Sequence, residues 1–306
     1  MESSYVLSSR VFSGIMSTLC LLFVILFSFS ACAKEENASL PKVADYDSDA
    51  VSAERKNLKL GVVSGPYGDM FMEAIFPFLK KKGYKVELVY YNDFIRPNLA
   101  MAEKEVDLNM FQHSRYLNDF KFDRDLDLMP IVEIPTASMG IFSKRYQSIN
   151  SLGRGITVSI PDDNTNLSRA LRVLNAANVI TLDPSIDMAR AAVKDIISNP
   201  YRIQFTLVAA QNLVRSLDTV DASVINGNFA ISGGLNLASA LYNEVLNEGY
   251  VNIIAVRTED LGQQFVRDII DIAYLPEYVN MMMDTRGKYA GFQRPRYFYD
   301  IAKKGR

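Results

Sequence analysis

From Leu58 onward, short apolar runs rich in β-branched and aromatic residues alternate with runs that have helical spacing. Apolar residues recur at helical intervals over 71–79, where Pro77 should bend the helix, and further helices are predicted at about 95–105, from about 167, and at the C-terminus. Strand and helix in alternation predict an α/β fold with parallel sheets covered on both faces. The predicted strands are 58–64, 85–91, 107–111, 139–144, 155–160, 202–207, 221–225 and 251–256.

Three loops rich in polar or aromatic side chains follow predicted strands: MFQHSRY (110–116), PDDNTNLSR (161–169) and NGNFA (226–230). In open α/β sheets, ligands bind beyond the carboxyl ends of the strands. We therefore expect these three loops to converge on one site.

The N-terminal pattern differs from the rest of the chain. An apolar run over 11–29 follows Arg10, and the small residues 30–31 precede Cys32. This order resembles a bacterial lipoprotein signal, so we predict a signal peptide over 1–31, a lipid on Cys32, and a flexible polar tether over 32–57. Such a chain would be anchored to a membrane of the bacterial cell envelope. An uncleaved signal anchor is the alternative.

Composition narrows the functional classes. The chain has 306 residues, 49% of them hydrophobic and 22% charged, with a formal net charge of −2. These values are typical of a globular protein with two domains or two lobes. They do not indicate a nucleic-acid partner, because a basic patch interleaved with aromatic residues is absent from the sequence.

His113 is the single histidine of the chain. Catalysis would require an orienting carboxylate and a nucleophile, and the sequence contains no nucleophile elbow. With two cysteines, Cys20 and Cys32, both outside the predicted fold, a zinc or iron site would lack ligands. We therefore predict no catalytic residue, metal or cofactor. Phe111, His113 and Tyr116 together suit an apolar or thioether group, and a buried core histidine is the alternative.

Residues 164–166 are candidate N-caps for the helix that follows strand 155–160. Arg169 would then lie beside free backbone amides in the first turn, which is an arrangement suited to a carboxylate. A surface arginine after an ordinary cap has the same spacing. Asn226 and Asn228 can bind either end of a zwitterion, although Asn-Gly is also a common turn.

Taken together, these segments resemble the NlpA/MetQ family of methionine-binding lipoproteins, the substrate-binding components of bacterial ABC importers. The resemblance covers nearly the whole predicted fold, in the family's order. The matching stretches are GVVSGPYGDM (61–70), NDFIRPNLA (92–100), NMFQHSRYL (109–117), MGIFSKR (139–145), IPDDNTNLSRAL (160–171), AAQNLVRSLDTVDASVIN (209–226) and VNIIAVR (251–257).

The resemblance implies a two-lobed, type II periplasmic-binding-protein-like fold with a ligand cleft between the lobes. Lobe I is expected at 58–138 plus 250–306, and lobe II at 139–249. Two hinge crossovers are expected near 136–141 and 248–253.

The resemblance also implies roles for individual residues. Arg169, helped by Asn166, would hold the ligand carboxylate, and Asn226 would bind the polar end of the amino acid. The side-chain pocket would be lined by Phe94, Phe111, His113 and Tyr116. The implied protein is a non-enzymatic monomer that binds methionine or a related amino acid and delivers it to an ABC permease and its ATPase.

Three departures from the family pattern concern the pocket. Phe94 stands where the family usually has tyrosine, Tyr67 replaces the histidine of a Gly-Pro-His run, and residues 135–138 lack the usual His-x-Glu-Pro. A related amino acid or a short peptide is therefore an alternative ligand. The alternative functions are a surface lipoprotein that uses a changed or lapsed pocket as a protein-interaction module and, with less support, an enzyme on the same scaffold.

Overall fold

The computed structural model of this protein describes residues 55–304. The predicted signal peptide, Cys32 and nearly all of the tether lie outside the described residues. The strands are β1 (Asn57–Val63), β2 (Lys85–Tyr91), β3 (Leu108–His113), β4 (Leu128–Glu133), β5 (Gly140–Phe142), β6 (Thr157–Pro161), β7 (Thr181–Leu182), β8 (Ile196–Ser198), β9 (Gln204–Val208), β10 (Ala222–Ile225), β11 (Tyr242–Asn243) and β12 (Asn252–Arg257).

Helices connect most of these strands. The α-helices are α1 (Tyr67–Met70), α2 (Phe76–Lys81), α3 (Arg96–Ala102), α4 (Ser114–Arg124), α5 (Asn164–Ala176), α6 (Leu213–Ser216), α7 (Gly227–Ser232), α8 (Gln264–Ala273), α9 (Pro276–Met283) and α10 (Arg296–Lys304). One π-helical turn, Phe71–Ile75, separates α1 from α2. This turn ends two residues before Pro77, where the sequence predicts a bend.

The first sheet has the strand order β2-β1-β3-β12-β4. β1 pairs in parallel with β2 and β3, whereas β12 runs antiparallel to β3 and β4. Every residue of β3 and β12 is buried, as expected for central strands with helices on both faces. We call the half of the molecule built on this sheet lobe I.

The second sheet has the strand order β11-β5-β10-β6-β9. β6 pairs in parallel with β9 and β10, and β5 pairs antiparallel with β10 and β11. We call this half lobe II. Each sheet thus contains antiparallel strands, which corrects the expectation of purely parallel sheets.

The antiparallel strands arise because the chain passes between the lobes twice. It leaves lobe I after Glu133 and enters β5 at Gly140, and it leaves β11 at Asn243 and returns as β12 from Asn252. We name the first connection crossover 1 (134–139) and the second crossover 2 (244–251). The predicted lobe boundaries fall inside or next to these connections, and we propose them on that basis.

The apolar pattern does not predict strand β4, because Pro130 interrupts its apolar run. A proline cannot donate a hydrogen bond to a neighbouring strand, so it is tolerated mainly at sheet edges and bulges. β4 is an edge strand, and Pro130 pairs with Ala255 beside a register shift. The edge position explains why this proline does not prevent a strand.

The largest apolar cluster of lobe I is separate from that of lobe II. A third cluster contains Phe111 and Tyr116 of lobe I together with Ile225 and Phe229 of lobe II. Apolar burial therefore continues across the interface between the lobes. Within residues 55–304, none of the helices combines the length and apolar character needed to cross a bilayer.

Candidate functional site

A cavity lies where the carboxyl ends of β1 and β3 in lobe I face those of β6 and β10 in lobe II. All seven residues predicted for the ligand site line this cavity: Phe94, Phe111, His113, Tyr116, Asn166, Arg169 and Asn226. Asn228, a candidate beside Asn226, also lines the cavity, and the other lining residues had no predicted role: Tyr67, Gln112, Ala137, Gly227 and Asn252. The three loops therefore converge as expected.

One wall of the cavity is aromatic. The ring of Phe94 stacks on Phe111 with centroids 5.9 Å apart and meets the edge of Tyr116 at 5.8 Å. Phe229 of lobe II lies 5.0 Å from Phe94 and continues this wall across the cleft. Aromatic rings at these separations form a surface suited to an aliphatic or thioether group.

His113 ends β3 and is the N-cap residue of α4. Its Nδ1 accepts a hydrogen bond from the backbone N–H of Tyr116 at 3.0 Å, so the proton of a neutral ring lies on Nε2. Burial and the charge of Arg169 hold the pKa of His113 well below 6.5, while Asn166 acts in the opposite direction. Nε2 is buried, with no hydrogen-bond partner of good geometry among residues 55–304. His113 therefore presents an unused N–H donor at neutral pH.

Asn226 follows β10 and is oriented by a chain of hydrogen bonds. Its Nδ2 donates to Oδ1 of Asn166 at 2.8 Å, and Nδ2 of Asn166 donates to both carboxylate oxygens of Asp163 at 3.0 and 3.1 Å. The Oδ1 atom of Asn226 is buried and has no partner in the described part of the chain. This orientation leaves an unused acceptor, which suits an ammonium group.

Arg169 is buried and forms an ion pair that the sequence analysis did not anticipate. Its Nε lies 2.9 and 3.1 Å from the two carboxylate oxygens of Glu244, and its Nη2 lies 2.6 Å from Oε2. Burial disfavours the charged guanidinium, but the attraction of Glu244 outweighs this effect and raises the pKa of Arg169. Arg169 is therefore a charged group with its counter-ion already in place.

The start of α5 also differs from the sequence prediction. The N-cap residue is Asp163, whose carboxylate accepts a hydrogen bond from the backbone N–H of Asn166 at 2.9 Å. The three candidate caps at 164–166 were therefore wrong, since these residues form the first turn. Arg169 lies one turn further along the helix than expected, where it reaches Glu244.

Hydrogen bonds between the lobes close the cleft around the cavity. Thr165 on α5 donates from its hydroxyl to Asp119 on α4 at 2.8 Å. Nδ2 of Asn228 donates to the backbone carbonyl of Ser64 at 3.2 Å. Gly65 has a φ of 138°, and a Cβ there would lie 2.9 Å from Asn228. Glycine at position 65 therefore permits the close approach of the two lobes.

Two residues without a predicted role in ligand binding join the cavity to its surroundings. Tyr67 accepts a hydrogen bond at its hydroxyl from the backbone N–H of Ala137 in crossover 1, at 3.1 Å. Glu244 is the first residue of crossover 2, in a polar stretch with no apolar periodicity. No local pattern marks either contact, because the partners lie 70 and 75 positions away in the chain.

The chemical groups of the cavity suit an organic ligand. Among residues 55–304, no group of three or more His, Cys, Asp and Glu side chains is arranged to hold a metal ion. The cavity instead offers an N–H donor, an amide oxygen, a guanidinium and an aromatic wall. This set can bind a small zwitterion that has an apolar side chain.

Comparison with known proteins identifies the family of the chain. The family model described as NlpA lipoprotein matches residues 58–295. Methionine-binding lipoprotein MetQ of Bacillus subtilis (strain 168) is 32% identical over 225 residues, which are 72% of this chain and 82% of the relative.

Two solved structures share the fold. An ABC transporter periplasmic substrate-binding protein from Coxiella burnetii has a TM-score of 0.69 and 31% identity, and the match covers 76% of this chain and 97% of that one. A nutrient binding protein from Burkholderia cenocepacia bound to methionine has a TM-score of 0.71 and 29% identity, over 78% of this chain and 99% of that one. The predicted two-lobed binding-protein fold is thus confirmed.

The buried ion pair predicts a non-additive pattern of stability. Arg169→Met should lower the free energy of unfolding by about 3–5 kcal/mol, because Glu244 would be left buried and unpaired. Glu244→Met should also lower the free energy of unfolding, because Arg169 would be left unpaired. The double variant Arg169→Met/Glu244→Met should lose less stability than the two single variants lose in sum, since no buried charge would remain. Urea unfolding of all three variants measures this difference. The exposed pair Lys144–Asp218 provides the control, where Lys144→Met should change stability little. Additive losses at Arg169 and Glu244 would contradict this account.

His113 predicts a pH dependence of stability. Because the pKa of His113 is depressed in the folded state, the unfolded chain binds its proton first as the pH falls below about 6.5. The free energy of unfolding should therefore decrease below that pH, at up to about 1.4 kcal/mol per pH unit. His113→Asn keeps a cap acceptor but cannot titrate, so it should lack this decrease. Since the chain has no second histidine, parallel profiles of the two proteins between pH 5 and 7 would disprove the assignment.

Proposed function

Because the chain belongs to the NlpA lipoprotein family, we propose that it is the substrate-binding protein of an ABC amino-acid importer and that its ligand is methionine. One observation carries this proposal. Two buried atoms without partners among the described residues, Nε2 of His113 and Oδ1 of Asn226, belong to one cavity with Arg169, whose hydrogen bonds to Glu244 use Nε and Nη2, and with the aromatic wall of Phe94, Phe111 and Tyr116. A zwitterion with a thioether side chain would satisfy all of these groups.

In the proposed complex, Arg169 and Asn166 bind the ligand carboxylate, and Oδ1 of Asn226 accepts a hydrogen bond from the ammonium group. His113 donates from Nε2 inside the side-chain pocket. Sulfur–ring contacts with the aromatic wall would contribute about 0.3–1.5 kcal/mol each. The similar nutrient binding protein from Burkholderia cenocepacia is bound to methionine, which supports this choice of ligand.

The proposed protein binds and releases its ligand without chemical turnover, as a monomer without a cofactor. It would deliver methionine to a membrane-bound permease and its ATPase. The similar protein from Coxiella burnetii is described as a periplasmic substrate-binding protein of an ABC transporter, which supports this role. The closed cleft suits this role, because a ligand that bridges both lobes stabilises the closed state.

We further propose that Cys32 carries the lipid that anchors the protein in the bacterial cell envelope. The lipoprotein names of the family model and of the Bacillus subtilis relative support this assignment. When bacteria that express the protein are grown with radiolabelled palmitate, the label should be incorporated into the protein with Cys32 and not into a Cys32→Ser variant. Equal labelling of the two proteins would contradict lipidation at Cys32.

Calorimetry of the purified full chain against a panel of amino acids and short peptides tests the proposed ligand. Methionine should bind, and Asn226→Ala should weaken binding by about 1–3 kcal/mol, because the ammonium group would lose its acceptor. Asn247→Ala is the matched control, since Asn247 is exposed in crossover 2 and does not line the cavity. If no panel member binds, the importer function is wrong, and a surface lipoprotein whose changed pocket serves as a protein-interaction module becomes the better account.

A further inference from the structure

We propose that Glu244 is a specificity-determining residue that makes the cavity electrically neutral, so that the site selects zwitterions over ligands with one net charge. This inference rests on the proposed function, because it concerns the ligand of the same cavity. It assigns a role to a residue that does not line the cavity itself.

The geometry of the ion pair leaves only one end of the guanidinium for a ligand. Glu244 occupies Nε and Nη2 of Arg169 at 2.6–3.1 Å. Nη1 has no hydrogen bond to any of residues 55–304, and Arg169 lines the cavity whereas Glu244 does not. A ligand carboxylate would thus contact an arginine whose opposite edge is already bound to a carboxylate.

The carboxylate of Glu244 is held in place from behind. Its Oε2 accepts a hydrogen bond from the backbone N–H of Met139 at 3.3 Å, and the backbone N–H of Glu244 donates to the carbonyl of Met139 at 2.9 Å. The side-chain amide of Gln293 donates to the Glu244 carbonyl at 2.5 Å. These contacts join crossover 2 to crossover 1 and to the C-terminal region, and they hold Glu244 beside Arg169 through residues that do not line the cavity.

The charges around the cavity sum to zero. Besides Arg169, the titratable lining residues are His113, Tyr67 and Tyr116. His113 is neutral because burial lowers its pKa, and the tyrosines are neutral because burial raises theirs. The charge of +1 on Arg169 and the charge of −1 on Glu244 therefore cancel. Outside the lining, Arg172 and Arg115 act electrostatically on His113, and Arg115 forms an ion pair with Asp119. Asp163 contacts Asn166, and burial raises the pKa of its carboxyl.

Electrical neutrality has a direct consequence for ligand choice. A buried net charge without a partner is strongly unfavourable. A zwitterion adds no net charge to the cavity, whereas an acid without the amino group adds −1 and an amine without the carboxylate adds +1. Without Glu244 the cavity would carry +1, and a simple acid would then supply the missing counter-ion.

Calorimetry with three ligands of similar shape tests this role: L-methionine, 4-(methylthio)butanoate and 3-(methylthio)propylamine. Glu244→Gln keeps the size of the side chain and one acceptor oxygen for Arg169, but it removes the negative charge. The affinity of the acid relative to methionine should rise at least about tenfold in this variant, and that of the amine should fall by a similar factor. Glu248→Gln, an exposed change in crossover 2, should leave both ratios at their wild-type values. Unchanged ratios in Glu244→Gln would overturn the proposal.

The wild-type protein provides a second measurement if Glu244→Gln does not fold. In a neutral cavity, the acid and the amine should both bind far more weakly than methionine, with affinities within about tenfold of each other. A preference for the acid over the amine of more than about a hundredfold would show a cationic cavity and overturn the role of Glu244. If the wild-type protein binds none of the three ligands, methionine is not its ligand, and the role assigned to Glu244 in selecting methionine fails with it, whereas the importer function is decided by the panel of amino acids and peptides.

Discussion

The buried guanidinium of Arg169 is the constraint around which the cleft is organised. A charge removed from water needs a partner held in good geometry, and Glu244 provides one by contacting Nε and Nη2. Arg169 belongs to lobe II, whereas Glu244 begins the connection back to lobe I. The ion pair therefore links the ligand cavity to the segment that joins the two lobes. Its contact with Met139 extends this link to the other crossover.

The polar groups of the cavity are likewise each fixed by one partner. Asp163 orients Asn166, and Asn166 in turn orients Asn226, so that one amide oxygen remains unused. The amide of Tyr116 fixes the tautomer of His113, so that one N–H remains unused. Buried polar atoms without partners are rare in folded proteins, because each one loses its hydrogen bonds to water. Two such atoms in one cavity, beside an aromatic wall, indicate a site prepared for a ligand that has both a donor and an acceptor.

Much of the fold and the membership of the site could be predicted from the sequence. Apolar runs identified most of the longer strands, and the position of three polar loops after strands placed residues such as His113, Arg169 and Asn226 on one cavity. These features depend on local periodicity and on the rule that strand ends share one edge of a sheet. Strand β4 contains Pro130, and proline is tolerated mainly in edge strands. The strand order of the sheet decides whether β4 is an edge strand, so the local sequence does not predict it.

The sequence by itself determined which chemical groups this protein offers: one histidine, an arginine near a helix start, paired asparagines and an aromatic cluster. Only the tertiary structure decided how these groups are partnered. The Arg169–Glu244 pair joins residues 75 positions apart, and the helix cap is Asp163 because its carboxylate, rather than a later side chain, reaches the free amide of Asn166. Local patterns describe which face of an element is apolar, but contacts between distant elements depend on how the chain crosses twice between the lobes. For this reason seven residues that line the cavity were predictable, whereas the ion pair beside them was not.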